Sequence, residues 1–130
     1  HIRNFGLARA SAISPAASAL KEGLPFTFHQ DTPVLPPDLL TAVGCAVTRT
    51  TRTGRVLGEE ERLLPFDALR AVTVNAAYQY FEEDRKGSIR EGKLADFVLL
   101  DENPLTVEPG RIRDIRVLRT IKEGVTVYER

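Results

Sequence analysis

The stretch FTFHQDTPVLPPD, residues 26–38, decides how this sequence folds. Its first half is short and aromatic and ends at turn residues, so it predicts a buried β-strand over about residues 24–30. The prolines that follow prevent a sheet from continuing. His29 and Asp31 stand two positions apart at the end of this strand, which puts both side chains on one face. Either a solvated turn or the mouth of a catalytic site explains ionisable groups there.

Helical patterns flank this strand. The predicted helices lie at about residues 14–22, 38–49 and 66–81. Ser14 is placed to cap the first, and Gly23 can take the left-handed conformation that ends it. Asp38 is placed to cap the second. The third carries one apolar stripe with a predicted break near Asn75, where threonine and β-branched residues lower helix propensity.

From Gly87 the period of the apolar residues changes from about 3.6 to about 2. A strand is predicted at about residues 94–100, followed by a hairpin with its turn at Glu123–Gly124. The hairpin residues expected to share one face are Ile115, Val117, Ile121, Val125 and Val127. The chain therefore divides into residues 1–86, which are α/β, and residues 87–130, which are β.

Neither half can satisfy its own backbone. A lone strand between helices has no partner for its N–H and C=O groups, and two or three strands make a sheet of little independent stability. The chain also begins at His1 and contains no methionine. We therefore expect a piece of a longer polypeptide, whose missing part is the first partner of these residues.

Composition excludes several classes of function. Lys and Arg number 18 and Asp and Glu number 18, so the net charge of zero gives no attraction for nucleic acid or an anionic membrane. No apolar run approaches the ~20 residues that span a bilayer, and no signal peptide is evident, which favours the cytoplasm. The single cysteine, Cys45, lies among small apolar residues and is expected to be a buried structural thiol.

Three segments resemble one family. GSIREGKLADFVLLDENPL, residues 87–105, is similar to the terminal signature of the amidohydrolase superfamily of metal-dependent hydrolases. LRAVTVNAAYQYF, residues 69–81, looks like the helix that precedes that signature. SPAASALKEGLPFTFHQDTPVLPPD, residues 14–38, resembles the long-chain branch of YtcJ-type proteins, N-substituted formamide deformylases and the exoenzyme regulatory protein. The resemblance extends from about residue 6 to residue 128.

The resemblance implies an α/β fold: the carboxyl-terminal portion of a (β/α)₈ barrel followed by strands of a small composite β-sandwich. Residues 1–86 would supply the last βα units of the barrel, and residues 87–130 a segment of the sandwich. Asp31 matches the aspartate that accepts a proton from metal-activated water and often binds the metal. His29 matches a position usually occupied by histidine, which would contact substrate or orient that aspartate. The alternative is a histidine packed in the barrel mouth with a satisfied hydrogen bond.

Other polar residues have structural readings. Lys93 and Asp96 are expected to be structural, with catalysis as the alternative. Gly92 is expected to make the turn, and Asp96 to start the strand while accepting backbone N–H groups. Arg49, Arg52 and Arg55 are expected in a solvated loop, with anion binding as the alternative.

The sequence thus predicts the C-terminal part of a metal-dependent amidohydrolase that cleaves a C–N bond of an amide, formamide or cyclic amide. The full-length enzyme would carry a divalent metal, with zinc the expected ion, and act on a small molecule. The isolated segment is expected to be inactive and to bind no metal tightly. One alternative is a non-catalytic regulatory or interaction domain on the same scaffold. Another is an independent α+β domain whose strand edges pair in a homo-oligomer.

Overall fold

A computed structural model describes residues 1–130. The α-helices are α1 (Ile2–Ser11), α2 (Ala16–Lys21), α3 (Leu39–Thr48), α4 (Pro65–Ala71) and α5 (Val74–Gln79). The strands are β1 (Phe97–Leu100), β2 (Val117–Lys122) and β3 (Val125–Glu129), and two 3₁₀ helices span Glu59–Glu61 and Pro109–Asp114. Helices therefore occupy the first part of the chain and strands the last part.

Helix α3 forms close to its predicted bounds of 38–49. The Asp38 carboxylate accepts the backbone N–H groups of Leu40 at 3.1 Å and Thr41 at 3.3 Å, which satisfies donors that the helix itself cannot. Arg49 takes a left-handed conformation with φ 55° and ends the helix. Local capping therefore explains both ends of α3.

Helix α2 is shorter than the predicted 14–22, and Ser14 does not cap it. The acceptor comes instead from a distant residue, because the Glu61 carboxylate receives the Ser18 N–H at 2.9 Å and also the Ser18 hydroxyl. The predicted termination is present, since Gly23 follows the helix with φ 70°. A tertiary contact thus replaces the local cap.

The predicted helix 66–81 is two helices, α4 and α5, with the break at Val72–Thr73 rather than near Asn75. Val72, Thr73 and Val74 are consecutive β-branched residues, which lose side-chain freedom in a helix. The Thr73 hydroxyl donates to the Leu69 carbonyl at 2.8 Å, so this side chain competes with backbone N–H groups for a carbonyl at the end of α4. Helix α1 was not predicted; it consists of two helical pieces that meet at Gly6, where φ is 75°.

Residues 24–30 do not form the predicted strand. A strand exists through backbone hydrogen bonds to a neighbouring strand, and no backbone–backbone hydrogen bond involves residues 25–30. The aromatic pattern identified the segment correctly as apolar, but the 130 residues supply no strand to pair with it.

The three strands form an antiparallel sheet in the order β1-β2-β3. The turn Glu123–Gly124 has φ values of 50° and 82°, as the predicted hairpin requires. The predicted shared face is wrong: Val125 pairs with Lys122 and Ile121 pairs with Thr126, so Val125 and Ile121 point to opposite faces. A β-bulge after Thr120 also shifts the register, which a period-2 pattern does not reveal.

Helix α3 carries the core. Val43 and Ile112 have no exposed surface and pack with Val47, Leu63 and Ala68. The 3₁₀ helix Pro109–Asp114 packs closely on α3 at Gly44, where an added Cβ would be in van der Waals contact with the Arg113 backbone nitrogen at 3.4 Å. This contact attaches the C-terminal part of the chain to the helices.

None of the helices has both the length and the apolar character that crossing a membrane demands.

Candidate active site

Helix α5 holds the segment that carries the candidate residues. The Asn75 side-chain amide donates to the Phe26 carbonyl at 2.9 Å, and the Thr27 hydroxyl donates to the Gln79 side chain at 2.7 Å. Phe26 and Phe28 lie with ring centroids 5.7 Å apart and pack against the core around α3. Asn75, within α5, thus braces residues 24–30.

Asp31 lies at the exposed surface immediately after this segment. Its φ is 53°, a left-handed conformation that aspartate adopts more readily than most residues. Its carbonyl accepts the Val34 N–H at 2.8 Å, which closes a tight turn. The carboxylate makes no hydrogen bond and no ion pair with the rest of the chain and is therefore free to meet another group.

His29 is also exposed, and it lines a groove of about 660 Å³ that Asp31 does not line. The groove lies between residues 26–30, α2 and α3, and His1 lies at it too. No hydrogen bond joins His29 to Asp31. The two side chains are therefore not hydrogen-bonded to each other, and only His29 lines the groove.

Gln30, between the two candidates, was not singled out by the sequence. It is only 9% exposed, and its side-chain amide donates to the Asp38 carbonyl. The available signal was alternation: a residue between two outward-facing positions on an extended segment points inward. A buried polar side chain there needs a hydrogen-bond partner, and Asp38 supplies it.

Arg49 does not lie in a solvated loop as expected. Its guanidinium donates to four backbone carbonyls, those of Ser11 (3.2 Å), Ile13 (2.8 Å), Ser14 (3.1 Å) and Leu57 (2.9 Å). It therefore joins the end of α3 to the connection between α1 and α2. Arg52 and Arg55 remain exposed.

Close packing around Arg49 requires glycine at position 58. A Cβ on Gly58 would lie 2.2 Å from the Ser11 carbonyl oxygen, and the φ of 65° is also unfavourable for other residues.

The sequence predicts structural roles for Lys93 and Asp96, and their contacts agree with such roles. The Lys93 ammonium donates to the Lys86 carbonyl at 3.1 Å and the Ser88 hydroxyl at 2.8 Å, and Asp96 accepts the Glu123 N–H at 2.8 Å. The prediction for Cys45 is wrong, because this thiol is exposed and lines the His29 groove. The helical face that carries it has no covering residues in this chain.

Glu61 is the buried acid of this region. The hydroxyl and backbone N–H of Ser18 lower the pKa of the Glu61 carboxyl below its ordinary value of 4.5, and Arg49 acts in the same direction. In the unfolded chain the Glu61 carboxyl lacks these bonds and therefore keeps its proton to higher pH. The free energy of unfolding thus rises with pH between the lowered pKa of the folded state and the ordinary value of 4.5.

We predict that Glu61→Gln lowers the free energy of unfolding at neutral pH. The wild-type chain should be more stable than the variant at pH 7, and the difference should shrink as pH falls below about 4.5. Urea unfolding of both proteins between pH 7 and pH 3 measures this difference. A difference that stays constant across this range contradicts the assignment.

The residues present do not make a complete metal site. Among residues 1–130, no group of three or more His, Cys, Asp or Glu side chains is placed to hold a metal ion. The free Asp31 carboxylate has the right chemistry for one ligand. A metal at Asp31 would need further ligands from outside this chain.

Two named proteins are similar in sequence to this chain over most of its length. The chain is 34% identical over 116 residues to an N-substituted formamide deformylase of Arthrobacter pascens, covering 89% of this chain and 21% of that protein. It is 28% identical over 114 residues to the putative amidohydrolase YtcJ of Bacillus subtilis, covering 85% and 22%. The chain spans about a fifth of the length of these relatives.

A solved structure shows the same arrangement of elements. The amidohydrolase from Thermotoga maritima superimposes with a TM-score of 0.65 and 28% sequence identity, over 88% of this chain and 26% of that one. The resemblance found in the three sequence segments is therefore confirmed. The Amidohydrolase family model matches residues 1–128, nearly the whole chain, and the chain belongs to this family.

Proposed function

We propose that these residues are the C-terminal part of a metal-dependent amidohydrolase that cleaves a C–N bond of a small amide, formamide or cyclic amide. The observation that carries the proposal is the family match over residues 1–128. The name of the Arthrobacter relative supports a formamide or related amide as substrate.

The unpaired segment 24–30 supports the barrel part of the proposal. Its backbone groups make no backbone–backbone bonds at residues 25–30, and such groups require partners when buried. Strands supplied by the preceding part of the protein would pair with it on both sides. In a closed barrel its end, with Asp31, would lie at the active-site rim.

Exposed apolar side chains support the same proposal. Only 14 of the 130 residues are buried, and many large apolar residues remain open to solvent. Val34, Phe66 and Phe81 are 72%, 59% and 89% exposed. Apolar surface of this kind is stabilised by burial, so the preceding part of the protein is the proposed partner. Together with that part, residues 1–86 would complete the barrel, and residues 87–130 would join the sandwich.

Asp31 would do the proton chemistry. Its carboxylate has no partner in this chain, so it can accept a proton from the attacking water and return that proton to the leaving amine. His29, on the adjoining groove, would contact the substrate or orient the aspartate. A divalent metal ion, proposed to be zinc, would lower the pKa of the water and polarise the carbonyl when bound.

The test is hydrolysis by the full-length protein. Native protein should have an intact mass several times that of these residues, release amine from amides or N-substituted formamides, and lose activity with a chelator. The purified 130-residue chain should show neither turnover nor stoichiometric zinc by elemental analysis. Turnover by the short chain alone, or full activity after complete metal removal, would contradict the proposal.

A non-catalytic regulatory or interaction domain is the second candidate. The position of Asp31 outside the His29 groove favours it, because a catalytic carboxylate is expected at a concave site. The same assays decide: intact native protein that binds metal but turns over no amide across a broad substrate set supports this alternative.

A further inference from the structure

The segment that leads to Asp31 is held by side chains at both ends. Within these 130 residues, residues 25–30 make no backbone–backbone hydrogen bond. The neighbouring strands proposed above would add ladder bonds only as far as the end of this segment, before Asp31. At one end, α5 holds the segment through Asn75 and Thr27. At the other end, the only hydrogen bond is the one from Gln30 to the Asp38 carbonyl.

Gln30 ties Asp31 to the start of α3. A carbonyl can only accept, so the Gln30 side chain must present its NH₂ group to Asp38. The carboxylate of the same Asp38 receives the Leu40 and Thr41 N–H groups and the Thr41 hydroxyl at 2.6 Å. The residue next to Asp31 is thus anchored to a capped helix end.

The Asp31 side chain has no such anchor of its own. It makes no hydrogen bond, and its direction is set by the backbone on either side. The Val34 N–H holds the Asp31 carbonyl on the following side at 2.8 Å. On the preceding side Gln30 is the holding group, and it is 9% exposed.

We propose that Gln30 is a positioning residue for Asp31: its buried amide, through the Asp38 carbonyl, fixes where the catalytic carboxylate stands. This inference rests on the proposed function, because it assigns Gln30 a role in the reaction that Asp31 performs. A general base must lie within hydrogen-bond reach of the proton it takes, so a small displacement of its backbone lowers the rate without weakening substrate binding.

The test replaces Gln30 by methionine in the full-length protein, which keeps the length of the side chain and removes its donor. We expect kcat for N-substituted formamide hydrolysis to fall about 10–100-fold while KM stays within about threefold, since a displacement of about 1 Å can cost this much. Lys93→Met is the matched control, because it removes a side-chain donor to the Lys86 carbonyl and the Ser88 hydroxyl, away from the His29 groove. Its kcat should stay within about threefold of wild type, with a similar decrease in Tm.

The possible results of this test separate a positioning role of Gln30 from a merely structural one. Equal losses of kcat in the two variants, or a loss expressed only in KM, would show a merely structural role and overturn the inference. Wild-type kcat in Gln30→Met would overturn it as well. If Gln30→Met does not fold, Gln30→Leu, which also lacks the donor and adds no charge beside Asp31, gives the same readout. Asp31→Asn serves as reference: full activity in that variant defeats the proposed function itself, whereas its loss beside an active Gln30→Met defeats only the positioning role.

Discussion

Asp31→Asn in the full-length protein should lower kcat/KM for amide hydrolysis about 10²–10⁴-fold, the usual contribution of a general acid–base group. Asparagine has nearly the same size, so packing around the 31–34 turn is retained. It cannot accept the proton from water, and it cannot return one to the amine. Because the Asp31 side chain makes no hydrogen bond in this chain, its loss should leave the unfolding midpoint almost unchanged.

Asp84→Asn is the matched control for this prediction. Asp84 is also exposed, makes no hydrogen bond or ion pair, and loses the same charge. Steady-state kinetics of both variants should separate a specific loss from a general effect of charge. If Asp31→Asn retained activity within about threefold of Asp84→Asn, Asp31 would not be the base.

Arg49→Ala should lower the free energy of unfolding by about 2–4 kcal/mol, because hydrogen bonds from a charged group are worth about 1.5–3 kcal/mol and several are lost together. The guanidinium satisfies carbonyls in two connections, at Ser11–Ser14 and at Leu57. Its removal leaves these acceptors unpaired beside the buried Leu57 and Gly58. Urea unfolding followed by circular dichroism measures the change.

Two variants sharpen this test. Arg49→Lys keeps the charge but loses the planar fork, so it should recover only part of the stability. Arg52→Ala removes an exposed arginine from the same connection and should change stability by less than about 0.5 kcal/mol. Equal stability of Arg49→Ala and Arg52→Ala would mean that the four carbonyls are satisfied by water when Arg49 is absent.

Sequence patterns predicted the elements whose causes are local. Asp38 caps α3 through residues two and three positions away, and Glu123–Gly124 supplies its own hairpin turn. The family was also predicted, because its three motifs are contiguous stretches of sequence. The same motifs place Asp31 directly after an apolar segment. Its catalytic role stays a prediction.

The features that sequence patterns missed join residues far apart in the chain. The Glu61 carboxylate reaches Ser18 across 43 positions, and Arg49 reaches Ser11 across 38. Periodicity reports which side chains face inward, but it does not report which distant backbone group they meet. The strand predicted at 24–30 is also absent, because the apolar pattern does not report whether a neighbouring strand is present to pair with it.

The sequence by itself determined the family, the helix that begins at Asp38, the hairpin at Glu123–Gly124 and the candidate Asp31. Capping, turn geometry and contiguous motifs depend on neighbours a few positions away, so they can be read from the order of residues. Only the tertiary structure decided that Arg49 joins two connections, that Glu61 replaces Ser14 at α2, and that Gln30 anchors the residue before Asp31. Those contacts arise from packing of distant segments, where a buried polar group bonds to whichever partner the fold brings within reach.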